Sequence, residues 1–326
     1  MTRFRSVMLV GAGAMAEREH LPRIRTILRP EQIVLVEPSS NRREEIKKRL
    51  GNGESIVATV ESDRQFDLIV IASPPATHCQ CFHHYSSQSQ CFLIEKPLCL
   101  SSEDALSIIQ AHREKSIKAV VCLPRRKFRH FRLLREFIQS QRFGELQRCS
   151  LNEGRVFAWH ASNAYFVRKL SGGGVLADIG PHAVDQLHQL FSQLEVDFCE
   201  MDCDPGCIDA NVLVQFSTKQ RQPIRLCLSR NRYLSDTISL EFKEATVTAA
   251  LRQEKLFFQF PDGEYTMEPS NPRDFSRALD LVYQEAILTD DEFCGMYPAD
   301  SLPSVKLIEQ CYLQARNTLQ DWSFAK

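Results

Sequence analysis

A glycine-rich turn follows the first apolar run of the chain. The run Ser6–Val10 leads directly into Gly11-Ala12-Gly13-Ala14-Met15-Ala16, a G-x-G-x-x-A pattern. Gly11 permits a tight turn, Gly13 leaves room for a pyrophosphate beside the backbone, and Ala16 allows a helix to pack closely on the strand. The first amides of that helix would face the phosphates. The pattern predicts a dinucleotide-binding turn, with small residues that serve only packing as the alternative.

An acidic residue stands where such a turn needs one. The second apolar run, Ile33–Val36, ends at Glu37, which is 26 residues after Gly11. A carboxylate here can bind the adenosine ribose hydroxyls and repel a 2′-phosphate, whereas a surface carboxylate without function is the alternative. We therefore expect NAD(H) to be favoured. NADP(H) stays possible because residues able to hold that phosphate follow closely, namely Ser39, Ser40, Arg42 and Arg43.

Three further motifs occur downstream in a fixed order. They are Ser73-Pro74-Pro75-Ala76-Thr77-His78, then Glu95-Lys96-Pro97, then Gly172-Gly173-Gly174 leading to Asp178-Ile179-Gly180-Pro181-His182. Together with the glycine turn, they resemble the glucose–fructose oxidoreductase, inositol dehydrogenase and rhizopine-catabolism (Gfo/Idh/MocA) family, over residues 7–185. There are two small departures from that family: Ala16 replaces a third glycine, and Glu37 stands where aspartate is commoner.

The resemblance implies an α/β fold, with an N-terminal Rossmann parallel sheet and a C-terminal α+β domain built on a large open-faced, mostly antiparallel sheet. It also implies an NAD(P)-dependent oxidoreductase that acts on CH–OH groups of sugars, cyclitols or their derivatives, and a homodimer or homotetramer formed through that sheet. The catalytic residues that it implies are Lys96, Asp178 and His182. The cofactor contacts that it implies are Gly11, Gly13, Ala14, Met15, Glu37, Ser73, Pro74, His78, Glu95 and Lys96.

Hydride transfer explains why these catalytic residue types would be needed. Histidine suits the proton step because its ordinary pKa of about 6.5 lies near working pH, so we expect His182 to be the base, within reach of the nicotinamide. Asp178, four residues earlier, could orient the imidazole, although Pro181 fits a first helical turn and would kink a helix interior. Lys96 would stabilise charge on the reacting oxygen. By resemblance, the Lys96–Pro97 peptide is expected to be cis.

Two other clusters invite a functional interpretation. The segment 78–84 holds two cysteines and three histidines, but a helix spreads them over different faces, so we expect no metal site. The basic segment 125–130 is either a solvated helix start or a rim that attracts a phosphate or carboxylate of the substrate. Arg125, Trp159 and Tyr165 are therefore candidate substrate contacts, with packing as the alternative for the two aromatic residues.

The elements that must position these residues fall into two halves. Apolar runs alternate with helix-like stretches through residue 123, which predicts a parallel sheet with crossover helices. Beyond that point, alternating runs between Val196 and Phe260 predict a mostly antiparallel sheet, and two helical stretches follow. We therefore predict a Rossmann dinucleotide-binding domain over 1–123 and a substrate-binding and oligomerisation domain over 124–326.

Composition limits which binding partners and which cellular compartment we expect. Forty basic and 41 acidic residues leave a net charge of -1, which offers no basic surface for nucleic acid. The chain contains no apolar stretch of 18 residues, so we expect no membrane partner. Twelve cysteines in a chain of 326 residues, several of them inside apolar runs, favour reduced thiols and a cytoplasmic protein.

Three functions remain open at this point. The first is a reversible sugar or cyclitol dehydrogenase or reductase. The second is an NAD-dependent glycoside hydrolase of the same fold, in which transient oxidation assists bond cleavage. The third is a non-catalytic, cofactor-binding regulator, which the presence of Lys96, Asp178 and His182 argues against.

Overall fold

The computed structural model describes residues 4–156, 167–204, 206–289 and 295–319. These residues form two compact units, each with its own sheet and apolar core. Among the described residues, the first unit contains 4–123, 167–172, 279–289 and 295–305, and the second contains 124–156, 173–204, 206–278 and 306–319. The chain thus passes to the second unit after Leu123, but it later returns to the first unit, unlike the predicted division into two consecutive domains.

A six-stranded sheet forms the centre of the first unit. Its strands are all parallel and follow the order β3-β2-β1-β4-β5-β6. They are β1 (Ser6–Val10), β2 (Gln32–Val36), β3 (Glu54–Val57), β4 (Leu68–Ile71), β5 (Cys91–Ile94) and β6 (Lys118–Val121). This is the strand order of a Rossmann fold, so the predicted parallel sheet is confirmed.

The strands of this sheet arise from continuous apolar runs. All four residues of β4 are fully buried, as expected for a parallel strand covered by helices on both faces. The exception is β3, an edge strand with only half-buried residues, which the sequence analysis missed. The helices that accompany the sheet are α1 (Ala16–His20, Leu21–Arg23 and Ile24–Leu28), α2 (Ser40–Lys47), α3 (His78–Tyr85) and α4 (Ser102–Glu114).

Residues 279–289 and 295–305 belong to the first unit, because their apolar side chains complete its core. Tyr283 and Val282 are fully buried among the residues of the first core cluster. The segment also meets the edge strand β6 through polar bonds. Val121 N donates to Met296 O at 2.7 Å, and the Lys118 ammonium donates to Thr289 O at 2.5 Å. No local sequence pattern predicts these contacts, because they join residues that are far apart in the chain.

A nine-stranded sheet forms the second unit, in the order β14-β13-β12-β11-β7-β10-β9-β8-β15. The pairs β7–β10 and β8–β15 are parallel, and the other neighbours are antiparallel, so the predicted mostly antiparallel sheet is confirmed. The strands are β7 (Leu146–Gly154), β8 (Leu194–Met201), β9 (Asn211–Thr218), β10 (Pro223–Ser229), β11 (Thr237–Phe242), β12 (Thr246–Ala250), β13 (Leu256–Phe260), β14 (Gly263–Met267) and β15 (Ala315–Asn317).

Among the remaining helices, α6 belongs to the first unit, and others contribute apolar residues to the second core. Alternate residues of β11 are buried, which is the period-two pattern of a sheet with one covered face. Helices α5 and α8 contact each other, and their apolar residues belong to the second core. The helices are α5 (His130–Ser140), α6 (Arg168–Ser171), α7 (Val175–Asp178), α8 (Gly180–Leu190), α9 (Phe275–Leu281, continued by Val282–Ile287) and α10 (Pro298–Gln314).

One cysteine pair differs from the expectation of reduced thiols. Cys203 and Cys207 are disulfide-bonded, whereas the other nine cysteines of the described chain are free. A turn in which Cys207 N donates to Asp204 O at 3.1 Å brings their Cα atoms to 6.2 Å, within the range that a disulfide spans. A spacing of four residues does not reveal such a turn, so the sequence alone did not indicate this pair.

Among the helices of the described residues, none combines the length and the apolar character needed to cross a membrane.

Candidate functional site

The turn after β1 has the backbone that its glycines were expected to permit. Gly11 has a φ of +91°, and a Cβ placed on it would lie 2.8 Å from the carbonyl oxygen of Ala72. Only glycine tolerates both conditions. At Gly13, by contrast, no atom of the described residues lies within 4 Å of the place that a Cβ would occupy, apart from its chain neighbours. Helical backbone begins at Ala14, and Ala16 is buried.

The carboxylate of Glu37 binds the glycine turn directly. Its Oε2 accepts a hydrogen bond from Ala12 N at 3.0 Å, and its Oε1 accepts one from Ser39 N at 2.9 Å. The two arginines that follow are engaged as well. Arg42 donates to Ala12 O at 2.7 Å, and Arg43 donates to the backbone carbonyl of Glu37 at 2.8 Å. The end of β2 therefore presents one carboxylate and two guanidinium groups beside the turn.

The serine–diproline turn after β4 lies against the glycine turn. A Cβ on Gly11 would lie 2.8 Å from Ser73 N, so the two backbones touch. Thr77 braces this second turn, because its Oγ1 lies 2.7 Å from Ser73 Oγ and donates to Pro74 O at 2.7 Å. Strand order reverses between β1 and β4, and open α/β sheets bind ligands beside such a switch point. Both turns occupy that place.

His78 joins this turn to the segment after β5. Its Nε2 lies 2.9 Å from Ser73 O and its Nδ1 lies 2.9 Å from Pro97 O, while the side chain is fully buried. Burial lowers the pKa of His78 below its ordinary value, although the hydrogen bonds to the two carbonyl oxygens oppose the shift. Both ring nitrogens of His78 therefore bond to the protein's own backbone, and its predicted contact with a cofactor stays a prediction.

A buried polar chain stands behind Lys96. The Lys96–Pro97 peptide is cis, which confirms the prediction. Glu95 is 6% exposed; its Oε1 lies 2.9 Å from His20 Nε2, and its Oε2 accepts from Lys96 N at 3.1 Å. The other ring nitrogen of His20 lies 2.7 Å from the Tyr283 hydroxyl. The carboxylate of Glu95 therefore bonds within the first unit, and its predicted contact with a cofactor stays a prediction.

Electrostatics keep this carboxylate charged. Burial raises the pKa of Glu95, but the hydrogen bond and charge of His20 and the charge of Lys96 outweigh burial, so the pKa lies below its ordinary value. Burial and the nearby carboxylate raise the pKa of the Cys122 thiol well above its ordinary value. Ligand atoms of His20, Glu95 and Cys122 lie within 4.8 Å of one another. We assign these three side chains to hydrogen bonding and not to metal binding. A metal ion would displace the bond between His20 and Glu95, and its charge would lie close to that of Lys96.

Asp178 and His182 lie on consecutive helices of the second unit. Asp178 ends α7, and Pro181 lies in the first turn of α8, which settles the placement that the sequence left open. His182 is 6% exposed, and its ring meets the Phe275 ring edge-on, with the centroids 5.9 Å apart. Arg230, which follows β10, forms an ion pair with Asp178. The carboxylate of Asp178 thus lies beside a permanent positive charge.

The basic segment after Leu123 does not form an open cationic rim. Arg125 is 5% exposed, and its guanidinium donates to both carboxylate oxygens of Glu153, at 2.7 and 2.5 Å, and to Gln186 Oε1 at 3.2 Å. Arg126 pairs with Asp185 in the same way. The charge of Arg125 is therefore buried and balanced by Glu153, and its contact with an anionic substrate stays a prediction.

Two expected substrate contacts lie outside the described residues, and two residues of the site were not expected. Trp159 and Tyr165 lie outside the described residues, so their substrate contacts stay predictions. His20 and Arg230 were not among the residues expected from the sequence. A histidine within the helix that follows the glycine turn was the only signal for His20, whereas Arg230 lies in a loop and carried no signal.

The first unit fits a bound dinucleotide. Open space at Gly13 leaves room for a pyrophosphate, and the helix that begins at Ala14 offers its first amides there. Glu37 lies beside the same turn, where ribose hydroxyls would need an acceptor. The segments that follow β1, β2, β4 and β5 all lie at the carboxyl ends of parallel strands, which is one edge of the sheet.

Comparison with known proteins agrees with this geometry. Residues 5–141 match the oxidoreductase family described as having an NAD-binding Rossmann fold, and residues 131–246 match the GFO/IDH/MocA C-terminal domain. The chain is similar in fold to the crystal structure of KijD10, a 3-ketoreductase from Actinomadura kijaniata, in complex with NADP and TDP-benzene. The TM-score is 0.80, with 16% identity over 95% of this chain and 98% of that chain.

Two curated relatives are similar in sequence. The rhizopine catabolism protein MocA of Rhizobium meliloti is 26% identical over 61% of this chain and 60% of its own length. Levoglucosan dehydrogenase of Pseudarthrobacter phenanthrenivorans is 22% identical over 50% of this chain and 43% of its own. The chain spans less than two thirds of the length of the curated relatives that it matches. On the motifs, the fold and these matches, the chain belongs to the GFO/IDH/MocA family of NAD(P)-binding oxidoreductases.

Proposed function

We propose that the protein is a dehydrogenase or reductase that acts on a secondary alcohol or ketone of a sugar, a cyclitol or a related compound. One observation carries the proposal: Lys96 follows β5 at the same strand-end edge as the glycine turn and Glu37. A lysine at that edge can reach a ligand held there. The relatives named levoglucosan dehydrogenase and 3-ketoreductase support the class of substrate.

Each of three residues has a distinct part in the proposed reaction. When bound, the nicotinamide takes up or returns a hydride. His182 takes the proton of the alcohol during oxidation and returns it during reduction. The Lys96 ammonium stabilises negative charge on the reacting oxygen. Asp178, held beside Arg230, orients the imidazole and balances its charge. The homodimer or homotetramer expected from the resemblance stays a prediction.

We also propose that NAD(H) is preferred to NADP(H). Glu37 accepts two backbone hydrogen bonds, from Ala12 and Ser39, so its carboxylate is held in place beside the turn. A fixed negative charge there disfavours a 2′-phosphate. Arg43 favours NADP(H) instead, because its guanidinium, which binds the backbone carbonyls of Glu37 and Pro38, would attract a 2′-phosphate.

The test combines a substrate panel with three variants. The wild type is incubated with NADH or NAD⁺ and a panel of keto sugars, aldoses and inositols, and absorbance at the NADH band is followed. His182→Ala should lower kcat by about 10²–10⁴-fold while NADH affinity, measured by calorimetry, stays the same. Lys96→Ala should also lower kcat, and the two effects should not add, because both residues act on one oxygen.

His188 provides the matched control, since it lies on the same helix as His182 but is only half-buried. His188→Ala should keep kcat near the wild-type value. Full activity of His182→Ala would refute the assignment of the base. Release of free sugar without a net change in NADH would indicate a glycoside hydrolase, and the absence of binding heat with both NADH and NADPH would refute the proposal.

A further inference from the structure

The turn that leads into α7 is held by a residue distant in sequence. Asp209 is 1% exposed and accepts hydrogen bonds from three successive amides. Its Oδ1 accepts from Gly174 N at 2.8 Å, its main-chain oxygen from Val175 N at 2.7 Å, and its Oδ2 from Leu176 N at 2.8 Å. Amides at the start of a helical turn have no partner within the helix. A single aspartate therefore satisfies all three.

Two glycines of the third motif leave room for this contact. A Cβ on Gly174 would lie 1.8 Å from Asp209 O, and a Cβ on Gly173 would lie 1.9 Å from the Tyr312 hydroxyl. That hydroxyl in turn donates to Asp209 Oδ1 at 2.9 Å. Any side chain at either glycine would displace Asp209 or Tyr312 from the turn. The two glycines thus allow the turn to approach Asp209 closely.

Backbone bonds connect the same turn to the proposed catalytic residues. Asp178 N donates to Gly174 O at 3.1 Å, and Ile179 N donates to Val175 O at 2.8 Å. His182 N then donates to Ile179 O at 3.0 Å. A shift of the turn would therefore be passed on to both Asp178 and His182 through a short series of peptide groups.

We propose that Asp209 is a positioning residue for Asp178 and His182. This inference rests on the proposed function, because it assumes that those two residues act on the substrate. The carboxylate suits the task because both of its oxygens accept and neither donates. An asparagine would keep the shape but would turn an amide donor toward the N–H of Gly174 or Leu176, so one of these bonds would be lost.

The matched pair of variants is Asp209→Asn and Asp202→Asn. Asp202 belongs to the same loop, and its Oδ1 accepts from Ala210 N at 3.0 Å and Asn211 N at 3.1 Å without binding α7. With the best substrate of the panel, Asp209→Asn should lower kcat about 10- to 100-fold at unchanged NADH affinity, because small displacements of catalytic groups have effects of that size. Asp202→Asn should leave kcat within about twofold, since only the loop is loosened.

Hydrogen–deuterium exchange, followed by mass spectrometry, supplies a readout that needs no substrate. Asp209→Asn should speed exchange in peptides covering 173–183, whereas Asp202→Asn should do so only in peptides covering 202–211. Equal losses of kcat in both variants, or wild-type exchange over 173–183 in Asp209→Asn, would overturn the proposal. If the wild type turns over no panel substrate, the proposed function fails, and exchange in the peptides covering 173–183 then decides whether Asp209 holds the turn.

Should Asp209→Asn fail to fold, Tyr312→Phe takes its place. This change removes one donor to Asp209 Oδ1 and keeps the three amide bonds. A smaller fall in kcat, with faster exchange confined to 173–183, is the expected result. Unchanged kcat and unchanged exchange in Tyr312→Phe would then count against Asp209 as the residue that holds the turn.

Discussion

Replacing His130 with phenylalanine should remove a source of acid instability from the second unit. His130 is 4% exposed at the start of α5, and neither ring nitrogen has a hydrogen-bond partner within the described chain. Its ring stacks on Phe128 at 5.4 Å and lies 4.7 Å from Phe131. Burial lowers the pKa of His130 from 6.5 to about 4, although the charge of Glu254 opposes the shift. The imidazole therefore acts as an apolar aromatic ring.

The sign and size of the pH effect follow from this pKa. A histidine whose pKa is lower in the folded chain than in the unfolded chain stabilises the fold above pH 6.5, and that stability is lost as pH falls toward the folded pKa of about 4. At pH 5 the unfolded chain is mostly protonated here and the folded chain is not. The linkage relation then gives a loss of about 2 kcal/mol relative to pH 7.5.

Urea unfolding followed by far-ultraviolet circular dichroism, at pH 7.5 and pH 5.0, measures this difference. His130→Phe should lie within about 1 kcal/mol of the wild type at pH 7.5, because the two rings are similar in volume. At pH 5.0 it should be more stable than the wild type by about 2 kcal/mol. His84→Phe is the control, since His84 is exposed and should behave as the wild type does. An equal loss for wild type and His130→Phe between the two pH values would refute the reasoning.

Two further predictions concern charges. Glu37→Ala should weaken NADH binding about tenfold or more through the lost acceptor and improve NADPH relative to NADH, as measured by calorimetry. Glu44→Ala is the control, because Glu44 lies on the exposed side of α2, and this change should leave the ratio of NADPH to NADH affinity as in the wild type. If Glu37→Ala also left this ratio unchanged, Glu37 would not select the cofactor. Glu153→Gln should cost about 3–5 kcal/mol in urea unfolding, because Arg125 is left buried without a counter-charge. Glu241→Gln breaks the exposed pair with Arg148 and should cost no more than about 1 kcal/mol. An equal cost for Glu153→Gln and Glu241→Gln would contradict the burial argument.

The predicted elements that proved correct are those with a strong local pattern. Strand β4 is buried on both faces, so its residues read as an unbroken apolar run. The alternating runs that predicted a mostly antiparallel sheet include β11, in which every second residue is buried. Strand β3 was missed because an edge strand with half-buried residues needs no such run.

The site residues divide in a similar way. The backbone requirements of Gly11 and the cis peptide before Pro97 agree with their motifs. His78 and Glu95 also occupy motif positions, yet their side chains point into the protein. His78 bonds to the backbone of Pro97, and Glu95 bonds to His20. A motif records which residue types a site needs, but it does not distinguish a residue that contacts the ligand from one that supports the contact.

By itself, the sequence determined the parallel Rossmann sheet, the mostly antiparallel second sheet, the glycine turn and the family. The two sheets and the glycine turn follow from periodicity and from steric rules that act over a few residues, whereas the family follows from the order of the four motifs. Tertiary structure alone decided the partners of the charged groups: Glu153 for Arg125, 28 residues apart; Asp209 for Gly174, 35 residues apart; and Tyr283 for His20, 263 residues apart. The physical reason is that a buried charge or amide must find a partner, and any segment that folding brings within about 3 Å can supply it.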